Sequence, residues 1–120
     1  MKKEKESIEY YLELGMDKKT AEYFHNGRKT VVSVKANTDF TLLLEFDNGE
    51  KKIYDMKPIL EKNTVFEPFI IYENFKRVYL DESHCICWDI NPDIDSNVVW
   101  NNKVDISPDT CYIDGITVID

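Results

Sequence analysis

Residues 40–55, F-T-L-L-L-E-F-D-N-G-E-K-K-I-Y-D, narrow the fold more than any other stretch of the chain. Two β-prone arms flank Asn48-Gly49. Asn and Gly tolerate positive φ, which a two-residue type I′ turn requires at both central positions. With that loop, Asp47 faces Glu50, Glu45 faces Lys52, Leu44 faces Ile53 and Leu43 faces Tyr54. Glu45 opposite Lys52 is a favourable cross-strand pair, and the two apolar pairs put partial cover on both faces of the hairpin. An N-terminal helical pair is the candidate cover.

That pair is read from residues 8–26. Ile8, Tyr11, Leu12 and Leu14 fall near helical spacing, Ser7 suits an N-cap and Gly15 a C-terminal stop. Asp17 opens a second helix with Ala21, Tyr23 and Phe24 on its apolar side, and Asn26-Gly27 ends it. Leu12, Leu14, Ala21 and Phe24 are expected to point inward.

From Lys29 the pattern turns to strands. Thr30–Val34 is rich in β-branched residues, and Pro58 marks the end of the second hairpin arm. Arg77–Asp81 and Cys85–Ile90 read as strands joined at Glu82-Ser83, with Ile86, Trp88 and Ile90 sharing a face. Asn91–Ser96 reads as a polar loop, Val98-Val99-Trp100 as a short β-prone piece, and Asp105–Asp120 as a tail alternating apolar and acidic residues. Helix-length segments between strands are missing, which makes the class α+β. The expected architecture is a small, mostly antiparallel sheet built around the 40–55 hairpin, with the helical pair packed on it. Residues 1–28 form the helical extension and 29–120 the α+β domain.

Charge limits the partners. The chain has 120 residues, one domain's worth, and a net charge of −8. A generic nucleic-acid binder needs a basic face, so nucleic acid is disfavoured. Lys and Arg concentrate in the first half, whereas Lys103 is the one Lys or Arg after Asp81. The three cysteines are an odd number, no apolar run reaches membrane-spanning length, and the N-terminus lacks the apolar core of a signal peptide. A cytoplasmic protein with free thiols and no membrane contact is the expectation.

Several segments, taken in order, look familiar: F-D-N-G-E-K-K-I-Y-D-M-K-P-I-L, V-F-E-P-F, N-F-K-R-V-Y-L-D, I-C-W and W-N-N-K-V-D-I-S-P-D-T-C-Y. Their order resembles the bacterial family of unknown function DUF2442, over about residues 31–112. The resemblance implies a small α+β fold and offers no catalytic residues. It also implies a gene neighbourhood suggestive of toxin–antitoxin-like pairs, and some relatives with a helix-turn-helix domain. Two features depart from the plainer family pattern: the helices before Lys29, and the acidic stretch Asp89–Val99 that precedes Trp100-Asn101-Asn102-Lys103-Val104-Asp105.

Four constellations compete for a role. The helical pair is similar to a helix-turn-helix in which Lys18, Lys19 and Arg28 would contact phosphates; a helical hairpin packed on the sheet is the plainer reading. Asp89, Asn91, Asp93 and Asp95 alternate like the start of a calcium loop, but Ile94 and Trp100 stand where an EF-hand needs Gly and Glu. Cys85, Cys87 and Cys111 lack zinc-ligand spacing and read as buried thiols, while His84 and Cys85 would face opposite ways on a strand. No metal or cofactor is expected, and an enzyme is not. The aromatic residues are mainly core, with an exposed minority anchoring a partner. The expected function is a non-catalytic protein-binding or regulatory module, antitoxin-like or acting as an acidic inhibitor of a nucleic-acid-binding protein. Its contact residues would be Trp88, Asp89, Asp93, Asp95, Trp100, Asn101 and Asn102. A DNA-binding regulator is the alternative, and a homo-oligomer is allowed.

Overall fold

A computed structural model describes residues 8–119; the Ser7 cap lies outside them. Helix α1 spans Ile8–Glu13 and α2 spans Lys18–Asn26. Asp17 caps α2 as expected, its carboxylate accepting from the Thr20 N–H at 2.8 Å. The buried side of α2 is Ala21 and Tyr23. Leu12 and Leu14 are exposed, contrary to the inward positions expected of them, because α1 buries no residue.

Strands β1 (Val31–Ala36), β2 (Thr41–Phe46) and β3 (Lys51–Asp55) follow. The hairpin exists, but its register is one residue off the expected one. Glu45 pairs with Lys51, Leu44 with Lys52, Leu43 with Ile53 and Leu42 with Tyr54. The loop holds three residues, Asp47-Asn48-Gly49, closed by the Gly49 N–H to Phe46 O and the Phe46 N–H to Glu50 O. Only Gly49 takes positive φ (88°) there. This is the turn-plus-bulge solution, which needs one left-handed residue where type I′ needs two. The slip moves Ile53 to the face of Leu43 and sets Lys52 and Tyr54 beside Leu44 and Leu42, which with Phe46 form the buried face.

The remaining elements are α3 (Tyr72–Phe75), β4 (Tyr79–Leu80), β5 (Ile86–Asp89), β6 (Lys103–Ile106), α4 (Pro108–Asp114) and β7 (Ile116–Thr117). Short 3-10 turns cover Glu67–Ile70 and Trp100–Asn102. The strands divide into two antiparallel sheets, β1-β2-β3-β7 and β4-β5-β6. The α+β class holds, with the sheet split in two. His84, at the β4–β5 turn, ties the sheets together by donating from Nδ1 to the Val31 carbonyl at 3.0 Å.

Helix α4 replaces part of the expected alternating tail. Its signal is local: Ser107 caps it and Pro108 occupies the first turn, where a missing N–H costs nothing. It packs on β3 so closely that a Cβ on Gly115, at its C-terminal end, would sit 3.2 Å from Lys52 Cβ and 3.3 Å from the Ile53 carbonyl oxygen. The N-terminal pair reaches the sheet through α4. The Tyr23 hydroxyl donates to Asp109 at 2.5 Å, and Arg28 pairs with the same carboxylate at 2.8 Å.

Trp88 is the centre of the core. Its ring lies 5.4 Å from Phe69 and 5.9 Å from Phe75, and its indole N–H donates to the Phe75 carbonyl at 2.8 Å. Burying an aromatic of ~150–250 Å² stabilises by about 4–6 kcal/mol before entropic costs. Among the described residues, no helix is long and apolar enough to cross a membrane.

Candidate protein-binding surface

The surface is built on the connection between β5 and β6, residues 90–102. Such a loop carries many backbone groups without a ladder to satisfy them. One side chain meets most of that demand. Asn102 is 6% exposed. Its Nδ2 lies 3.1 Å from the Asn91 and Ile94 carbonyls and 3.0 Å from Ser96 Oγ, and its Oδ1 accepts from the Asn91 N–H at 2.9 Å. The Ile90 N–H donates to the Asn102 carbonyl at 2.7 Å, which extends the β5–β6 ladder one step further.

The Asn and Asp side chains of the loop also serve the backbone. Asn91 Oδ1 accepts from the Asp93 N–H, and Asp95 Oδ1 from the Asn97 N–H, each at 2.9 Å. These are the local turns that Asp and Asn favour. The Asp95 carbonyl takes the N–H groups of both Val98 and Val99. Val98-Val99-Trp100 is therefore a turn entering a 3-10 helix, not the strand its β-branched residues suggested.

Asp89 stands at the base of the loop. Its Oδ1 accepts from Tyr79 Oη at 2.8 Å and from Ser96 Oγ at 2.6 Å. Burial and this carboxylate together push the Tyr79 phenol well above its usual range. Across the cleft, Asp81 accepts from Lys103 Nζ and from the N–H groups of Ser83 and Cys85, all at 2.9 Å. Burial opposes its ionised form, yet the Lys103 and backbone hydrogen bonds prevail and hold its pKa at about 2. Asp81, Asp89, Asp93, Asp95 and Lys103 line an open cleft of about 580 Å³. Among the described residues, no three His, Cys, Asp or Glu side chains converge as a metal would need, so the alternating Asp89–Asp95 spacing does not gather into a ligand set.

Beyond the cleft the loop ends in a ridge. Trp100 is 82% exposed and Val98 77%. On the other side of Ile90, a shallow groove of about 460 Å³ runs between Val65, Pro68 and Ile71. Asp89, Asp93 and Asp95 line the cleft, whereas Trp100 and Asn101 are exposed on the same connection outside that lining. Trp88 and Asn102, grouped with them in the sequence, do not reach the surface. Trp88 is a core residue because it alternates inward with Ile86 on β5, and Asn102 is spent on holding the loop. No feature of the sequence separates Asn102 from Asn101, since only the folded loop brings Asn91, Ile94 and Ser96 around one of them.

Among the described residues, Lys18, Lys19 and Arg28 are not gathered into a patch. Lys18 and Lys19 open α2, while Arg28 lies beyond its other end, roughly 13–15 Å away along the axis. There Arg28 pairs with Asp109 and stacks over Phe24 at 5.5 Å. The Ala21–Tyr23 side of α2 is used up against the domain. The cysteines are free, with Cys87 and Cys111 buried. Burial, helped by Asp81, pushes the Cys87 thiol up to about 12, and burial does the same for Cys111.

No curated protein and no solved structure matches the chain. Residues 31–112, from the start of β1 into α4, match the family described as "Protein of unknown function (DUF2442)". That span includes both sheets' main strands, the Trp88 core and the whole β5–β6 connection, and leaves α1 and α2 outside. The chain belongs to the DUF2442 family of proteins of unknown function.

Proposed function

We propose that this protein is a non-catalytic protein-binding module whose contact surface is the Val98–Trp100 ridge with the acidic cleft beside it. The observation that carries the reading is Trp100: a tryptophan left 82% exposed on a loop that a buried asparagine holds in one shape. Tryptophan is the side chain most enriched among residues that dominate binding energies. Holding it in place beforehand removes ordering cost from association. The partner this chemistry fits offers an apolar pocket for the indole and Lys or Arg side chains facing Asp89, Asp93 and Asp95. A small protein encoded beside this one, as the family resemblance implies, is the first partner to assay.

The test is quantitative co-purification from the native host with full-length wild type, Trp100→Ala, and a control at an exposed residue away from the loop and the sheet, Lys62→Ala. The expected result is a protein captured by wild type and control and depleted with Trp100→Ala. The same complex, rebuilt from purified components, should weaken as salt is raised, because its steering charges are exposed. If everything that wild type captures is retained by Trp100→Ala, the reading is wrong.

A further inference from the structure

A second exposed apolar surface lies on the four-stranded sheet, away from the Trp100 ridge. Side chains alternate across a strand. Leu42, Leu44 and Phe46 face the core, so Leu43 faces out, and its cross-strand partners face out with it. The result is a continuous row, Leu43–Ile53–Ile116, across β2, β3 and β7. Ile116 is 73% exposed and Leu43 and Ile53 are half-buried. Lys35 stands opposite Leu43 at one end of that row. Glu45 opposite Lys51 borders it on one side, and Asp55 opposite Thr41 on the other.

The charges on this face decide what suits it. Its strands carry Lys35, Lys51, Glu45 and Asp55, which cancel, with Lys57 held against Asp55 at 3.0 Å. The chain as a whole carries −8. Two copies therefore repel least when they approach through this face. In a two-fold interface, residue i of one copy meets residue j of the other and the reverse, so a patch with both signs can complement itself. The cleft of the β5–β6 connection cannot do this, because Asp81, Glu82, Asp89, Asp93 and Asp95 outnumber Lys103 there.

We infer that the outer face of the β1-β2-β3-β7 sheet is a self-association surface on which a second copy of this chain stacks sheet to sheet. The apolar rows meet at the centre, with Lys35 and Lys51 of one copy near Glu45 and Asp55 of the other. Three strands of five or six residues and the two-residue β7, spaced about 4.8 Å apart at ~3.3 Å per residue, give a face of roughly 300 Å². Standard interfaces bury about 800 Å² per partner. The dimer is thus a reversible, concentration-dependent one.

Sedimentation velocity of the full chain through the micromolar range, at moderate salt to screen the net repulsion, tests this. Wild type should show a dimer fraction that rises with concentration. Ile116→Lys should raise the dissociation constant at least tenfold with an unchanged circular-dichroism spectrum. Glu45→Lys should weaken the dimer, and Glu45→Lys combined with Lys51→Glu should restore it. Trp100→Ala should leave it unaffected. A wild-type monomer at every concentration overturns the inference, and so does a dimer that survives Ile116→Lys or is abolished by Trp100→Ala.

Discussion

Replacing Asn102 by alanine probes how the binding loop is held. The side chain is 6% exposed and removes four polar contacts with it: those to the Asn91 and Ile94 carbonyls, Ser96 Oγ and the Asn91 N–H. Each buried group left without a partner costs ~1–3 kcal/mol. Asn91 and Ile94 are themselves exposed residues, so water replaces part of what is lost. The net expectation is a destabilisation of about 2 kcal/mol, within the range for breaking a buried hydrogen-bond network. With an unfolding entropy near 2.1 cal/mol/K per residue, that lowers the Tm of a chain this size by roughly 8 °C. Hydrogen exchange should quicken first at Ile90, Asn91, Val98 and Val99, whose N–H groups are bonded within the loop, while Trp88 and its neighbours stay protected. A Tm within about 1 °C of wild type, with unchanged exchange over 90–99, would refute the claim that Asn102 organises the loop.

Two further predictions rest on titratable groups. The carboxyl of Asp81 is depressed from 3.8 to about 2 in the folded chain, so it contributes stability that is complete above 3.8 and lost as pH falls towards 2. Urea unfolding across that window should show a smaller acid loss for Asp81→Asn than for wild type; equal slopes would contradict the Lys103 pairing. Thiol labelling under native conditions should modify Cys85 first, because Cys87 and Cys111 are buried and their thiols are pushed up to about 12. All three thiols reacting at one rate in the folded protein would contradict the core described here.

Local chemistry made the small elements legible. The Asp17 cap, the change to strands after Lys29 and the presence of the 40–55 hairpin are properties of neighbouring residues. The register was not, because Asn48-Gly49 fits both a two-residue loop and a three-residue loop with Gly49 left-handed, and the second puts Tyr54 on the core side while leaving Lys51 and Asp55 exposed. Helix α4 had a readable Ser107-Pro108 start that the surrounding alternation obscured. The division into two sheets depends on pairings between distant segments, which no local pattern reports. Trp88 and Trp100 show the same limit: one residue type, one buried between Cys87 and Asp89 on a strand, the other lifted out by the two N–H groups that the Asp95 carbonyl captures.

The central claim is that the Val98–Trp100 ridge meets a protein partner. Site-specific photo-crosslinking in the native host tests it most directly, with a benzophenone amino acid in place of Val98, which is 77% exposed and adjoins the ridge tryptophan through Val99. The account predicts a discrete heavier adduct containing one other protein, absent when Trp100→Ala is combined with the same probe. Illumination that yields no adduct from the Val98 position, or an adduct that persists unchanged with Trp100→Ala, would contradict it.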